Sequence, residues 1–215
     1  MVSYRKYLRT IRHLFDHKAI VLMYHRIARV PADPWELAVQ PEHFEQHLAV
    51  LKKNFRVVRV TELVSQLQQQ KLRSNCVCIT FDDGYSDNFI NAKPLLEKYE
   101  CPASFFIATR YINQPQLFWW DELQRILLET PTLPAVFAID IDGSAWTFDL
   151  KEDAVLSDDK RLQQQVWVAP DDPPNRRCEL FVQIWERLKP LPDKDLQLAL
   201  DRIRLWAGEL NAANQ

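Results

Sequence analysis

The run Cys76-Val-Cys-Ile-Thr-Phe-Asp-Asp-Gly-Tyr-Ser-Asp-Asn88 limits what this chain can fold into more than any other stretch, because an apolar segment stops abruptly at two adjacent carboxylates and a glycine. Val77, Ile79 and Phe81 are the β-branched and aromatic types that suit a buried strand. Gly84, one of only 3 glycines, falls where a chain leaving a strand often needs a positive φ. Ser86, Asp87 and Asn88 offer N-cap side chains to a following helix. Asp82 and Asp83 are therefore expected in a βα turn at the carboxyl end of a strand, the rim where open α/β sheets and β/α barrels keep their active sites. An Asp-Gly pair also starts ordinary turns, so the acids alone leave both readings open.

The pattern on either side alternates strand with helix. Ala19–His25 reads as a strand, and Arg29–Gln40, with its two prolines, as a loop. Pro41 opens a helix on which Phe44, Leu48 and Leu51 recur at helical spacing. Val57–Val60 reads as a short strand, and Thr61 caps a helix over Glu62–Lys71. Phe89–Tyr99 reads as a helix bent at Pro94. Pro102–Thr109 reads as a strand apolar enough to be buried on both faces. Such alternation predicts parallel strands with crossover helices, as in a β/α barrel or an open sheet. Beyond Trp119 the pattern changes: a helix over Trp120–Leu128, a hairpin of Ala135–Asp140 and Ala145–Leu150 about an Asp142-Gly143 turn, and a polar irregular stretch, Val155–Pro174. Two helices follow, opened by Pro173-Pro174 and by Pro192-Asp193, and they make an αα-hairpin.

With 215 residues, 47% of them hydrophobic, the chain can bury a substantial core. A formal charge of −2 gives no global field for nucleic acid or an anionic membrane. The N-terminus is the exception: Arg5, Lys6, Arg9, Arg12 and Lys18 interleave with Tyr4, Leu8, Ile11, Leu14 and Phe15. This predicts a basic amphipathic helix that covers one end of the domain, with peripheral membrane contact as its alternative use. The apolar run Ala19–Tyr24 is too short for a signal-peptide core or a transmembrane span, so a cytoplasmic location is expected. Cys76, Cys78, Cys101 and Cys178 have no Cys-x-x-Cys spacing and read as inert buried thiols in a reducing compartment.

Thr80-Phe81-Asp82-Asp83-Gly84 resembles, without a substitution, the first motif of the polysaccharide deacetylase (NodB-like, carbohydrate esterase 4-type) family. Val21-Leu-Met-Tyr-His-Arg-Ile27 is similar to that family's first-strand signature. Further similarity runs through Pro41–Leu63, Pro102–Ile112 and Phe118–Leu123, and so through most of residues 19–125. The resemblance implies an α/β fold, the amino-terminal part of a distorted β/α barrel, with an inserted β-hairpin and a C-terminal αα-hairpin. The expected organisation is a helix over 1–18, a partial deacetylase-like domain over 19–125 and an insertion-type region over 126–215.

The same resemblance implies metal-dependent removal of N-acetyl groups from carbohydrate. Asp82 would be the general base and Asp83 a ligand of a divalent metal, Zn²⁺ or else Co²⁺ or Ni²⁺. The family supplies two more ligands from a His-(Ser/Thr)-x-x-His motif, which this sequence lacks: its histidines are His13, His17, His25, His43 and His47. The expectation is a domain truncated before that motif, its open barrel edge covered by the inserted helices, a second chain or self-association. His43 and His47, four residues apart, read as surface histidines of a helix. His25 ends the first strand on the rim that carries Asp82, as a substrate contact or a structural histidine. Trp119, Trp120 and Asp121 shape a sugar-binding rim or belong to the core. Two other functions fit the acids: a non-catalytic carbohydrate-binding or assembly module derived from the fold, and a Mg²⁺-dependent phosphohydrolase.

Overall fold

The expected alternation is present in a computed structural model, which describes residues 18–113, 116–141 and 144–209. The helix expected over 1–18, apart from Lys18, and the turn expected at Asp142-Gly143 lie outside those residues. The chain divides into two units: one holds the chain up to Val30 together with Leu37–Arg110, the other Pro31–Glu36 and the chain from Tyr111 onward.

The first unit is built on β1 (Ala19–Tyr24), β2 (Arg26–Ile27), β3 (Ala38–Val39), α1 (Pro41–Asn54), β4 (Arg56–Val57), α2 (Val60–Gln68), β5 (Cys76–Phe81), a π-helical turn (Asn88–Ala92) running into α3 (Lys93–Lys98), and β6 (Ala103–Phe105). All six residues of β5 are buried, as its unbroken apolar sequence requires. β1 pairs with β5 in parallel from Ala19↔Cys76 to Tyr24↔Phe81. On the other side of β5, β4 takes the first two residues and β6 the last three, again in parallel. Every strand of this sheet therefore runs toward the same rim, and β1 and β6 reach it level with the end of β5. Val77, Ile79 and Phe81 pack on Phe44, Leu48 and Leu51 of α1 and on Ala92 and Leu96, while Cys76 and Cys78 face Val58 and Leu63. A six-residue strand buried on both faces and clamped by two helices cannot slip register without turning its whole apolar set over.

Several expected boundaries move. The strand expected over Pro102–Thr109 is only Ala103–Phe105, and it is not buried on both faces: Phe105, Phe106 and Ile107 are 43%, 55% and 55% exposed. Its partner β5 ends at Phe81, so the Phe106 and Ala108 amides donate to the Phe81 and Asp83 carbonyls, following the acidic turn and not a strand. Thr61 does not cap α2. Val58 still pairs with Val77, the chain turns at Arg59, and the helix begins at Val60. The stretch read as a loop, Arg29–Gln40, contains β3, which pairs with β2 in parallel.

The second unit comprises α4 (Trp119–Gln124) running into a π-helical turn (Arg125–Glu129), the antiparallel pair β7 (Val136–Ile141) and β8 (Ser144–Asp149), α5 (Asp158–Val166), α6 (Arg176–Leu188) and α7 (Asp193–Ala207). α5 lies inside the stretch read as irregular. Ser157 caps it, accepting from the Lys160 amide, and Asp158 and Asp159 sit in its first turn, where the helix dipole favours acids. Cys178, Leu180, Phe181, Ile184 and Leu188 carry α6 through a core shared with Leu123, Phe137, Leu196 and Ile203. The cap of α6 is Asn175, one residue beyond the expected prolines, accepting from the Arg177 and Cys178 amides.

Among the described residues three charged side chains of this unit are buried, Glu122, Asp153 and Arg177, and Arg177 lies deepest. Arg177 is fully buried and donates to the carbonyls of Asp153, Leu127, Thr130, Pro131 and Ala154. Burial lowers its guanidinium to about 10, which still leaves it protonated at neutral pH. Among the described residues no helix is long and apolar enough to cross a membrane.

Candidate active site

At the end of β5 the chain makes a turn that few sequences tolerate. The Asp82 amide donates to the Tyr24 carbonyl at the end of β1 (2.9 Å), and the Asp82 carbonyl accepts from the Gly84 amide two residues on (2.9 Å). Closing so tight a turn puts two successive residues in the left-handed region, Asp83 at φ 70° and Gly84 at φ 86°. Aspartate is among the few non-glycine residues that visit this region, at a cost of about 1–2 kcal/mol. The Asp83 carbonyl is held there by the Ala108 amide at 3.0 Å.

Gly84 has a second constraint. A Cβ at this position would stand 3.0 Å from Ile107 Cγ2 and 3.4 Å from Ile107 Cα. Gly84→Ala is therefore expected to destabilise the first unit by roughly 1–2 kcal/mol from the backbone alone, with more if Ile107 cannot retreat. Chemical unfolding checks this, and a loss under about 0.5 kcal/mol would contradict the geometry.

Three of the residues singled out in the sequence come together at this rim: His25 immediately after β1, and Asp82 and Asp83 immediately after β5. All three are half-buried. Burial pushes the Asp83 carboxyl above its ordinary range. The neighbouring Asp82 carboxylate pushes the same way, and His25 offsets part of the rise. The parallel register pairs Tyr24 with Phe81, so His25 and Asp82 leave the two strand ends side by side.

The remaining candidates are placed elsewhere. His43 and His47 are exposed on α1, with His47 Nδ1 3.2 Å from the Tyr24 hydroxyl. Trp120 lies in the second unit, half-buried, its ring stacked on Phe118 at 4.8 Å and edge-on to Trp119 at 5.6 Å. Among the described residues no group of three or more His, Cys, Asp or Glu side chains comes together to hold a metal ion. A catalytic metal ordinarily takes three protein ligands, so the residues present here do not by themselves fit one.

The sequence reading missed what anchors this rim. Asp87 does not cap the following helix. Its Oδ1 accepts from the Ile27 amide (2.9 Å) and its Oδ2 from Arg26 Nε (3.1 Å), so it binds both residues of β2. Asn91 Nδ2 donates to the Ile27 carbonyl (2.7 Å), and the Arg26 guanidinium lies over the Tyr85 ring at 4.6 Å. Asn88 does not cap either: it is 3% exposed, and both its amide atoms lack a hydrogen-bond partner among the described residues. The available signal was the density of Asx side chains after Gly84. Local sequence cannot tell a cap from a contact reaching sixty residues back.

Comparison with known proteins bears out the resemblance. Residues 69–130, which include the acidic turn, match the family model for polysaccharide deacetylase. A putative polysaccharide deacetylase of Bacillus subtilis, YxkH, is 38% identical over 98 residues, which is 45% of this chain and 34% of that protein. Among solved structures, IcaB from Ammonifex degensii is 25% identical with a TM-score of 0.42, over 51% of this chain and 48% of that one. A putative polysaccharide deacetylase from Bacillus anthracis is 27% identical with a TM-score of 0.40, over 52% of this chain and 36% of that one. The chain thus spans about a third of the length of the curated relative it matches.

Proposed function

We propose, on the premise that residues 69–130 carry polysaccharide deacetylase sequence, that this chain is the acid-bearing part of a carbohydrate deacetylase that removes N-acetyl groups. The observation that carries the reading is the convergence of Asp82, Asp83 and His25 on one rim of a parallel sheet, within the matched sequence and its first-strand neighbour.

Hydrolysis of an acetamido group needs water to attack the carbonyl carbon, a base to take that water's proton, and a proton for the departing amine. Asp82 is the proposed catalytic base. Asp83, in its forced backbone conformation, is the proposed ligand of a divalent metal, and the other ligands must come from outside the described residues. His25 and Trp120 are proposed substrate contacts. The four free, buried thiols support a reducing compartment, proposed to be the cytoplasm.

The test is release of acetate and free amine from N-acetylglucosamine oligomers by the 215-residue chain, with and without added Zn²⁺, Co²⁺ or Ni²⁺. Acetate is expected only with added metal, and the metal is expected to be lost on dialysis because its donors are too few. Turnover of a phosphate monoester with no acetate from any oligomer would overturn the reading in favour of a phosphohydrolase. The shortage of metal donors also supports a second reading, a non-catalytic carbohydrate-binding or assembly module. Binding of the oligomer with no acetate at any metal concentration selects it.

A further inference from the structure

We propose that Asp87 is a positioning residue that holds His25 beside the acidic turn, at the end of the strand paired with β5; this rests on the reading of that turn as the site. His25 has one residue of freedom between two fixed points. On one side is Tyr24, the last residue of β1, whose carbonyl receives the Asp82 amide and whose ring packs on Phe44 and Phe81 at 5.1 and 5.5 Å. On the other side are Arg26 and Ile27. β2 is only two residues long and its sole strand partner among the described residues is the two-residue β3, so sheet pairing alone holds it weakly.

The rest of its anchorage comes from the segment following the acidic turn. Asp87 grips the Ile27 amide and Arg26 Nε, Asn91 takes the Ile27 carbonyl, and Tyr85 lies under the Arg26 guanidinium. The Asp87 and Arg26 side chains are 13% and 29% exposed, so their ion pair is partly shielded from water. The loop that presents the two acids is thereby fastened, through its own continuation, to the residue after His25. Acids and imidazole are set as one body, which is what a reacting geometry needs, since an error of about 1 Å can cost roughly a hundredfold in rate.

The test uses the full chain with isotope-labelled histidine, comparing the imidazole NMR signals of the parent, Asp87→Ala and Asp87→Asn, with His25 assigned through His25→Gln. Asp87→Ala is expected to move the His25 ring signals while those of His43, exposed on α1, stay in place. In the metal-supplemented acetate assay the same change is expected to lower kcat/KM at least about tenfold. Asp87→Asn keeps an oxygen for the Ile27 amide and is expected to recover most of both. Unmoved His25 signals in a folded Asp87→Ala chain overturn the proposal whatever the activity. Moved signals in a chain that releases no acetate support the positioning and count against the deacetylase reading instead. Should Asp87→Ala fail to fold, Arg26→Gln removes the ion pair and the contact with the Tyr85 ring while leaving the Asp87 bond to the Ile27 amide. A smaller shift of the His25 signals then supports the proposal, and no shift overturns it.

Discussion

Arg177→Ala is expected to destabilise the second unit by about 3–5 kcal/mol, since several buried carbonyls lose a charged donor at roughly 1–3 kcal/mol each. Arg177 is fully buried, and its guanidinium ties the segment from Leu127 to Pro131 to Asp153 and Ala154, all from the first turn of α6. Pro131 and Ala154 retain the Leu156 and Leu133 amides, so the damage concentrates on the other carbonyls and on the cavity left behind. Lysine restores charge but not the planar fork that reaches both segments at once, and Arg177→Lys is expected to recover less than half of the loss. Urea unfolding followed by tryptophan fluorescence measures both variants. A loss below about 1 kcal/mol for alanine would mean that water or backbone rearrangement satisfies these carbonyls without the arginine.

Asp82→Asn is expected to lower acetate release by about 10²–10⁴-fold, the range for removing a positioned general base. The substitution nearly preserves shape and keeps the amide that bonds Tyr24, so stability and oligosaccharide affinity are expected to change little. Asp83→Asn is the informative companion. Asparagine also accepts the left-handed conformation seen at φ 70°, so any loss of rate there reports on the carboxylate and not on the backbone. Acetate release that survives Asp82→Asn would remove Asp82 from the role of base and leave the acids to bind substrate.

Much of the first unit was legible because its constraints are local and periodic. β5 announces itself by an unbroken apolar run with acids at one end, and α1 by Phe44, Leu48 and Leu51. What the sequence concealed depends on partners. Whether Phe106 and Ile107 continue a strand is decided by where β5 stops, not by their own β propensity. Whether Asp87 caps a helix or reaches back to Ile27 is decided by the position of β2. Arg177 reads as an ordinary polar residue in the first turn of a helix, since burial of a charge is visible only once the carbonyls that receive it are in place. At the site, the motif supplied Asp82 and Asp83, and the parallel register of β1 on β5 supplied His25.

The cysteines carry a practical consequence. Cys76, Cys78 and Cys101 are shut inside the first unit and Cys178 inside the second, and burial raises the thiols of Cys78, Cys101 and Cys178, the last to about 12. Alkylating reagents need an accessible thiolate, so the folded chain is closed to them, and each modification event records an opening. With three reporters in one unit and one in the other, mass spectrometry of labelled peptides can time how separately the two halves breathe, with no engineered probe.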